Sequence, residues 1–170
     1  MNWTFRISNF HGQIDKFGFG EVDMGFDFSN ARKNIISFEK IWEDTDFFEV
    51  KICVESEYAF VWQNCYLCDQ LIDDLSRIIV DFCACKSETG YFESGSKTGN
   101  YTPAFSFRLT HDGRGHVTIE TDIEIEDVDD RSHRCTCNVY TEIGLLEQFG
   151  ARILGLKSGE IGTIVNLSGM

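Results

Sequence analysis

Apolar and polar positions alternate along the chain from residue 48. Phe48, Val50, Ile52 and Val54 share one face, with Glu49, Lys51 and Glu55 largely opposite, which predicts a strand. The aromatic and β-branched stretch from Tyr58 to Tyr66 reads as its hairpin partner, with Glu55-Ser56-Glu57 as the turn. The period then changes. Leu71, Leu75, Ile78 and Phe82 recur at helical spacing, reinforced by Ile72 and Ile79, and Asp69, Asp73 and Asp74 fall in the first turns, where carboxylates suit the helix dipole. Residues 86–102 are rich in Ser, Gly and Thr and aperiodic; they read as a long loop closed by Pro103. Alternation resumes at Phe105, Phe107 and Leu109, turns at Asp112-Gly113-Arg114-Gly115, and returns through Val117, Ile119, Thr121, Ile123 and Ile125. After a turn over Asp127–Ser132, Cys135, Cys137 and Val139 form the inner row of a further strand.

Thr141 is a good N-cap, with Glu142 behind it, for a second helix striped by Leu146, Phe149, Ile153 and Leu156. The last dozen residues are Gly-rich and suit a short strand or a tail. At the other end, Trp3, Phe5 and Ile7, then Phe17 and Phe19, then Phe26 and Phe28 alternate as short strands punctuated by glycines. The order is strands, helix, strands, helix. It predicts an α+β fold, an antiparallel β-sheet of hairpins and meander packed against two amphipathic helices, in a single domain over residues 1–170. Residues 1–46 form a β-rich N-terminal extension to which the pattern gives no role.

Composition sharpens this picture. The 170 residues carry 28 acids against 15 Lys and Arg, a formal charge of −13, yet 14% are aromatic, far too many for a disordered acidic tail. The negative charge therefore belongs on the outside of a filled globule. Such a field repels phosphate backbones and anionic headgroups, so nucleic acid and membrane surfaces are not expected partners; it suits solubility or a basic partner. The start, Met1-Asn2-Trp3-Thr4-Phe5-Arg6, has no basic segment followed by an apolar run, and no stretch approaches the roughly 20 apolar residues of a membrane span. The expectation is a cytoplasmic chain whose seven cysteines are reduced.

Candidate chemistry is sparse. Cys65-x-x-Cys68 and Cys83-x-Cys85 could together offer four thiolates to zinc, but a helix of about 15 residues between them would hold the pairs some 20 Å apart. Cys53, Cys135 and Cys137 fit core positions. His111, Asp112 and His116 flank one hairpin turn and could in principle bind a metal or act in acid–base chemistry, the basis of a weaker reading as a metal-dependent hydrolase. The Asp-Gly turn explains the same residues without catalysis. No phosphate-binding Gly-x-x-x-x-Gly-Lys string occurs. No cofactor and no small-molecule substrate are expected, and a non-catalytic interaction module of unknown partner is the plainest alternative.

The acidic row carries more weight. Between Asp112 and Arg131 lie eight acids and two arginines, a formal −6, nearly half of the chain's charge. Glu120, Asp122, Glu124 and Glu126 alternate along one strand, about 7 Å apart on one face, and Asp127, Asp129 and Asp130 continue into the turn. These seven residues are the candidate partner-binding set. The competing reading is a solvated strand face that discourages aggregation.

Four features also resemble a known family: the strand Phe47-Phe48-Glu49-Val50-Lys51-Ile52; the helix with Leu71 and Leu75; the meander from Phe105 through Asp112-Gly113-Arg114-Gly115 to Ile119; and the strand from His133 running into Thr141-Glu142-Ile143-Gly144-Leu145-Leu146-Glu147-Gln148-Phe149. Over residues 47–157 the chain resembles the WapI-like family of bacterial immunity proteins, which neutralise the toxin domains of contact-dependent and polymorphic toxin systems. The resemblance implies a cytosolic inhibitor without catalysis of its own and a cognate toxin domain as partner. Many such toxins are nucleases whose clefts must be basic, so a carboxylate row would imitate their substrate.

Overall fold

The computed structural model describes residues 6–7, 34–56, 59–95, 104–126 and 132–168. In chain order the elements are β1 (Arg6–Ile7), β2 (Ile35–Glu43), β3 (Phe48–Glu55), β4 (Ala59–Leu67), α1 (Asp69–Cys83), β5 (Gly90–Ser94), β6 (Ala104–His111), β7 (His116–Glu126), β8 (Ser132–Glu142), α2 (Ile143–Arg152), α3 (Gly155–Ser158) and β9 (Ile164–Ser168). The α+β class, the antiparallel pairing and the amphipathic helices agree with the periodicity. The strands, however, form two sheets, ordered β1-β4-β3-β2-β9 and β5-β6-β7-β8, where the alternation suggested one.

Each sheet buries one row of side chains, and both rows feed the same core. The first contributes Ile36 and Phe38 of β2, Val50, Ile52 and Val54 of β3, and Val61, Cys65 and Leu67 of β4; the second contributes Phe92, Phe105, Phe107, Leu109, Ile119 and Val139. Phe38 stands at the junction. Its ring meets Phe105 of the second sheet edge-on at 5.9 Å and Phe149 of α2 at 5.8 Å, separations at which aromatic pairs attract beyond simple burial. Among the described residues, polar links join the sheets: Gln63 Nε2 donates to Ala104 O at 2.9 Å, and Ser94 Oγ to Tyr66 O at 3.4 Å.

β2 falls within residues 1–46, to which the sequence pattern assigned no role. It lies between β3 and β9 and supplies Ile36 and Phe38 to the core. The short strands expected around Trp3, Phe17 and Phe26 lie outside the described residues apart from Arg6–Ile7, which pair with β4. Residues 90–94, expected in the long loop, instead form β5; Phe92 packs on Phe107 at 5.6 Å, and Gly90 leaves room for α1 and for Leu109 of β6, since a Cβ there would stand 3.2 Å from Ile78 Cγ2 and 2.9 Å from Leu109 Cδ1. The helices meet as closely. A Cβ on Gly150 would lie 2.5 Å from Ile79 Cγ2, and Ser76 Oγ donates to Gly150 O at 2.7 Å.

The start of α2 departs from expectation. Thr141 does not cap α2: β8 continues through Glu142, so Thr141 pairs with Val117 and turns its side chain fully into the core. The N-cap is Glu142, without a side-chain cap, and the Ile143 N–H donates to Gly115 O at 2.9 Å. At the end of α1, Cys85 adopts a left-handed φ of 54°. Its N–H donates to Phe82 O and that of Lys86 to Asp81 O, the bonding of a Schellman turn that glycine usually closes. Cys85→Gly should therefore raise stability by about 0.5–1 kcal/mol, read as a higher midpoint in urea at unchanged slope; a lower midpoint would show that the thiol contributes more than the backbone loses.

Candidate partner-binding surface

The outward face of the second sheet holds the acidic row. Register sets Tyr91, Arg108, Glu120 and Asn138 side by side across its four strands, and Ala104, Glu124 and Arg134 two rungs away, with Asp122 between. Glu120 is exposed, Glu124 half-buried, and Asp122 only 8% exposed. Arg134 explains the last: its Nε and Nη2 bind both oxygens of Asp122 at 2.9 and 2.6 Å, a bidentate clamp that also raises the pKa of the guanidinium. The uniform projecting row of the sequence reading thus needs correction. Asp122 is committed to the protein, and arginines stand directly across from Glu120 and Glu124 on adjacent strands, so much of the charge is offset locally. The side chain of Glu126 and residues Asp127, Asp129 and Asp130 lie outside the described residues.

The hairpin turn separates His111 from His116. His111 belongs to the inner row opposite Val117; its ring meets Phe82 at 5.4 Å, and its Nδ1 accepts from the Gly113 N–H at 3.1 Å. His116 sits on the other face with Nδ1 2.8 Å from Asp112 Oδ2, while Asp112 Oδ1 accepts from the N–H groups of Arg114 and His116. The two imidazoles therefore do not converge on Asp112. Its bonds to His116 and the turn amides lower the Asp112 pKa to about 2, and the carboxylate raises that of His116. Nor do the thiols gather: α1 stands between Cys65–Cys68 and Cys83–Cys85, a span of roughly 22 Å for its fifteen residues. Among the described residues no three His, Cys, Asp or Glu are placed to share a metal ion. Burial raises the thiol pKa of Cys65 and of Cys83 to about 11.

The first sheet presents a different surface, which periodicity did not single out. Trp42, Phe60, Tyr66 and Ile164 are 43–55% exposed on its outward face, together with half-buried Trp62 and Ile35. A β-bulge at Ile41 creates part of it. Lys40 pairs with Val50 but Trp42 with Glu49, so the extra residue reverses the alternation and sends Trp42 outward. There its ring meets Tyr66 edge-on at 6.4 Å. Lys40, one residue before the bulge, points inward and is 1% exposed; its Nζ donates to Gly159 O at 2.9 Å, pairs with Glu43 and lies 5.1 Å from the Phe48 ring centre. A cleft of about 400 Å³ opens beside it, between the Asp44–Phe47 turn and the start of α1. Asp44 caps that turn through the N–H groups of Asp46 and Phe47, which lowers its pKa.

No family model, curated protein or solved structure matches this chain. No helix among the described residues is long and apolar enough to cross a membrane.

Two outcomes follow from these contacts. The His116 contribution to stability is fully present below its ordinary pKa of about 6.5 and lost as pH rises through the raised folded value; that of Asp112 is present above about 4 and lost as pH falls towards 2. The pair thus favours the fold between these limits, and Asp112→Asn should return His116 towards 6.5 in an NMR titration, whereas an unmoved His116 would show that the contact does not hold in solution. Arg134→Ala should lower the melting temperature by leaving a nearly buried carboxylate without its clamp. Adding Asp122→Asn should recover part of that loss, and no recovery would place the effect elsewhere.

Proposed function

We propose that this chain is a cytoplasmic immunity protein that binds a basic toxin domain and occludes its cleft. The observation that carries the reading is the excess of carboxylates on a sheet-and-helix frame, 28 acids to 15 Lys and Arg, with Glu120 open to solvent on a sheet face. Further support comes from the sequence resemblance to the WapI-like proteins over residues 47–157, whose quoted segments fall on β3, α1, the β6–β7 hairpin, and β8 running into α2. Binding would work by charge complementarity and steric cover and would require no reaction on this chain. Long-range attraction from such a surface accelerates encounter with a basic partner, and salt weakens it.

The direct test is co-expression with the C-terminal domain encoded by the adjacent upstream reading frame. Restored growth and co-purification as a 1:1 complex are expected; full toxicity with no complex would overturn the assignment. Within that complex, Glu120→Lys with Glu124→Lys should slow association about 3- to 10-fold at low salt, with the difference vanishing at high salt. An unchanged rate at low salt would remove this strand from the steering field.

A further inference from the structure

The acidic strand suits steering better than adhesion: Asp122 is held by Arg134, and Arg108 lies opposite Glu120. Tight protein interfaces take most of their energy from a few aromatic side chains in a zone that excludes water, with charges at its rim. The outward face of the first sheet has that composition. Register places Trp42 and Tyr66 on either side of Glu49, and Ser37, Cys53 and Trp62 in line two rungs away. Lys51 Nζ lies 5.1 Å from the Trp62 ring centre, so one cation already occupies an aromatic face here.

We infer that this face of β2, β3 and β4, centred on Trp42 and Tyr66, is the contact surface for the basic partner; the inference rests on the immunity reading for the identity of that partner. Charge selects the occupant. The outward positions Glu39, Glu49 and Glu55 and the adjoining turn residues Asp44 and Asp46 are five carboxylates, with Lys51 the one ammonium among the outward positions of these strands. A second copy of the chain would bring the same charge against itself, whereas a basic surface would set Lys and Arg stems on the aromatic rings and their charges against the carboxylate rim. The extent is adequate. Three strands spaced about 4.8 Å apart and about 26 Å long cover roughly 370 Å², nearly half of the roughly 800 Å² that one partner contributes to a standard interface, and the Asp44–Phe47 turn and β9 flank them. The bulge at Ile41 supports the same conclusion: without it Trp42 would fall in the inward row, and bulges that re-aim a side chain occur preferentially at functional positions.

The test has two arms. In the complex with the upstream toxin domain, Trp42→Ala with Tyr66→Ala should weaken binding at least 100-fold, chiefly through faster dissociation, while Glu120→Lys with Glu124→Lys acts on association. Wild-type affinity in the aromatic double variant would overturn the inference and leave the immunity reading intact. Absence of any wild-type complex would instead overturn the immunity reading. The second arm needs no natural partner and uses the unaltered full chain: an ¹⁵N NMR titration with a soluble peptide of alternating Arg and Leu. Saturable shifts centred on residues 39–66, including the Trp42 indole, support the assignment; shifts centred on residues 118–124, or spread evenly over all acidic surfaces, overturn it. Sedimentation should show a monomer, and a concentration-dependent dimer abolished by Trp42→Ala would replace the basic partner with a second copy as the occupant.

Discussion

Phe38 is in van der Waals range of both halves of the protein at once, with Phe105 on one side and Phe149 of α2 on the other. Neither sheet could cover its own apolar row. A single sheet face left in water would expose residues each contributing roughly 1.5–3 kcal/mol on burial, and two such rows facing a common helix pair remove that exposure together. Everything else in the fold is arranged to let the rows close. Gly150 brings α2 onto Ile79, Gly90 lets Ile78 of α1 close on β5, and the Gln63 amide bridges to the Ala104 carbonyl where the sheets adjoin. The bridge is incomplete, because Gln63 Oε1, though buried, has no hydrogen-bond partner among the described residues. A buried polar group at this position favours one mutual arrangement of the sheets over sliding, even though the unmatched oxygen lowers stability.

Periodicity revealed the elements whose two faces differ chemically. β3 reads correctly because Glu49, Lys51 and Glu55 contrast with Phe48, Val50, Ile52 and Val54, and α1 because its stripe meets acids on the other side. β4 is ambiguous in principle: its outward row holds Phe60, Trp62 and Tyr66, and its inward row holds Gln63. A hydropathy pattern would turn the aromatics inward; the tertiary pairing with β3 turns them out. β5 was hidden because five residues begin with Gly and end with Ser, both of which are needed there for close approach and for a link to Tyr66 rather than for strand propensity. Thr141 misled because its cap-like identity was local, while its pairing with Val117 depended on residues far away in sequence.

Charge was legible as a sum but not as a field. A strand of alternating acids implies a projecting negative row only if the neighbouring strands are neutral. Here Arg108 and Arg134 lie on the strands to either side, and Arg134 binds Asp122 through two of its nitrogens. The net charge of −13 therefore overstates what β7 alone offers a partner. It belongs more evenly to the whole surface, including carboxylates around the aromatic face of the first sheet that no run in the sequence brings to notice.

The bulge at Ile41 connects the two least expected side chains. Lys40 and Trp42 would ordinarily share a face, since they are two apart on one strand. The inserted residue puts them on opposite faces, Lys40 into the protein and Trp42 into solvent. A lysine enclosed to 1% exposure must be matched, and the match is supplied locally by Glu43 and by the carbonyl of Gly159, while the Lys40 backbone bonds to Gly162 and Thr163. The segment leading into β9 is thus pinned to the bulge that exposes the tryptophan. A protein that needed only a stable sheet would gain from the opposite arrangement, with the indole buried and the ammonium in water. Retaining the costlier arrangement makes structural sense where the exposed ring has something to bind, as the proposed contact with a basic partner requires.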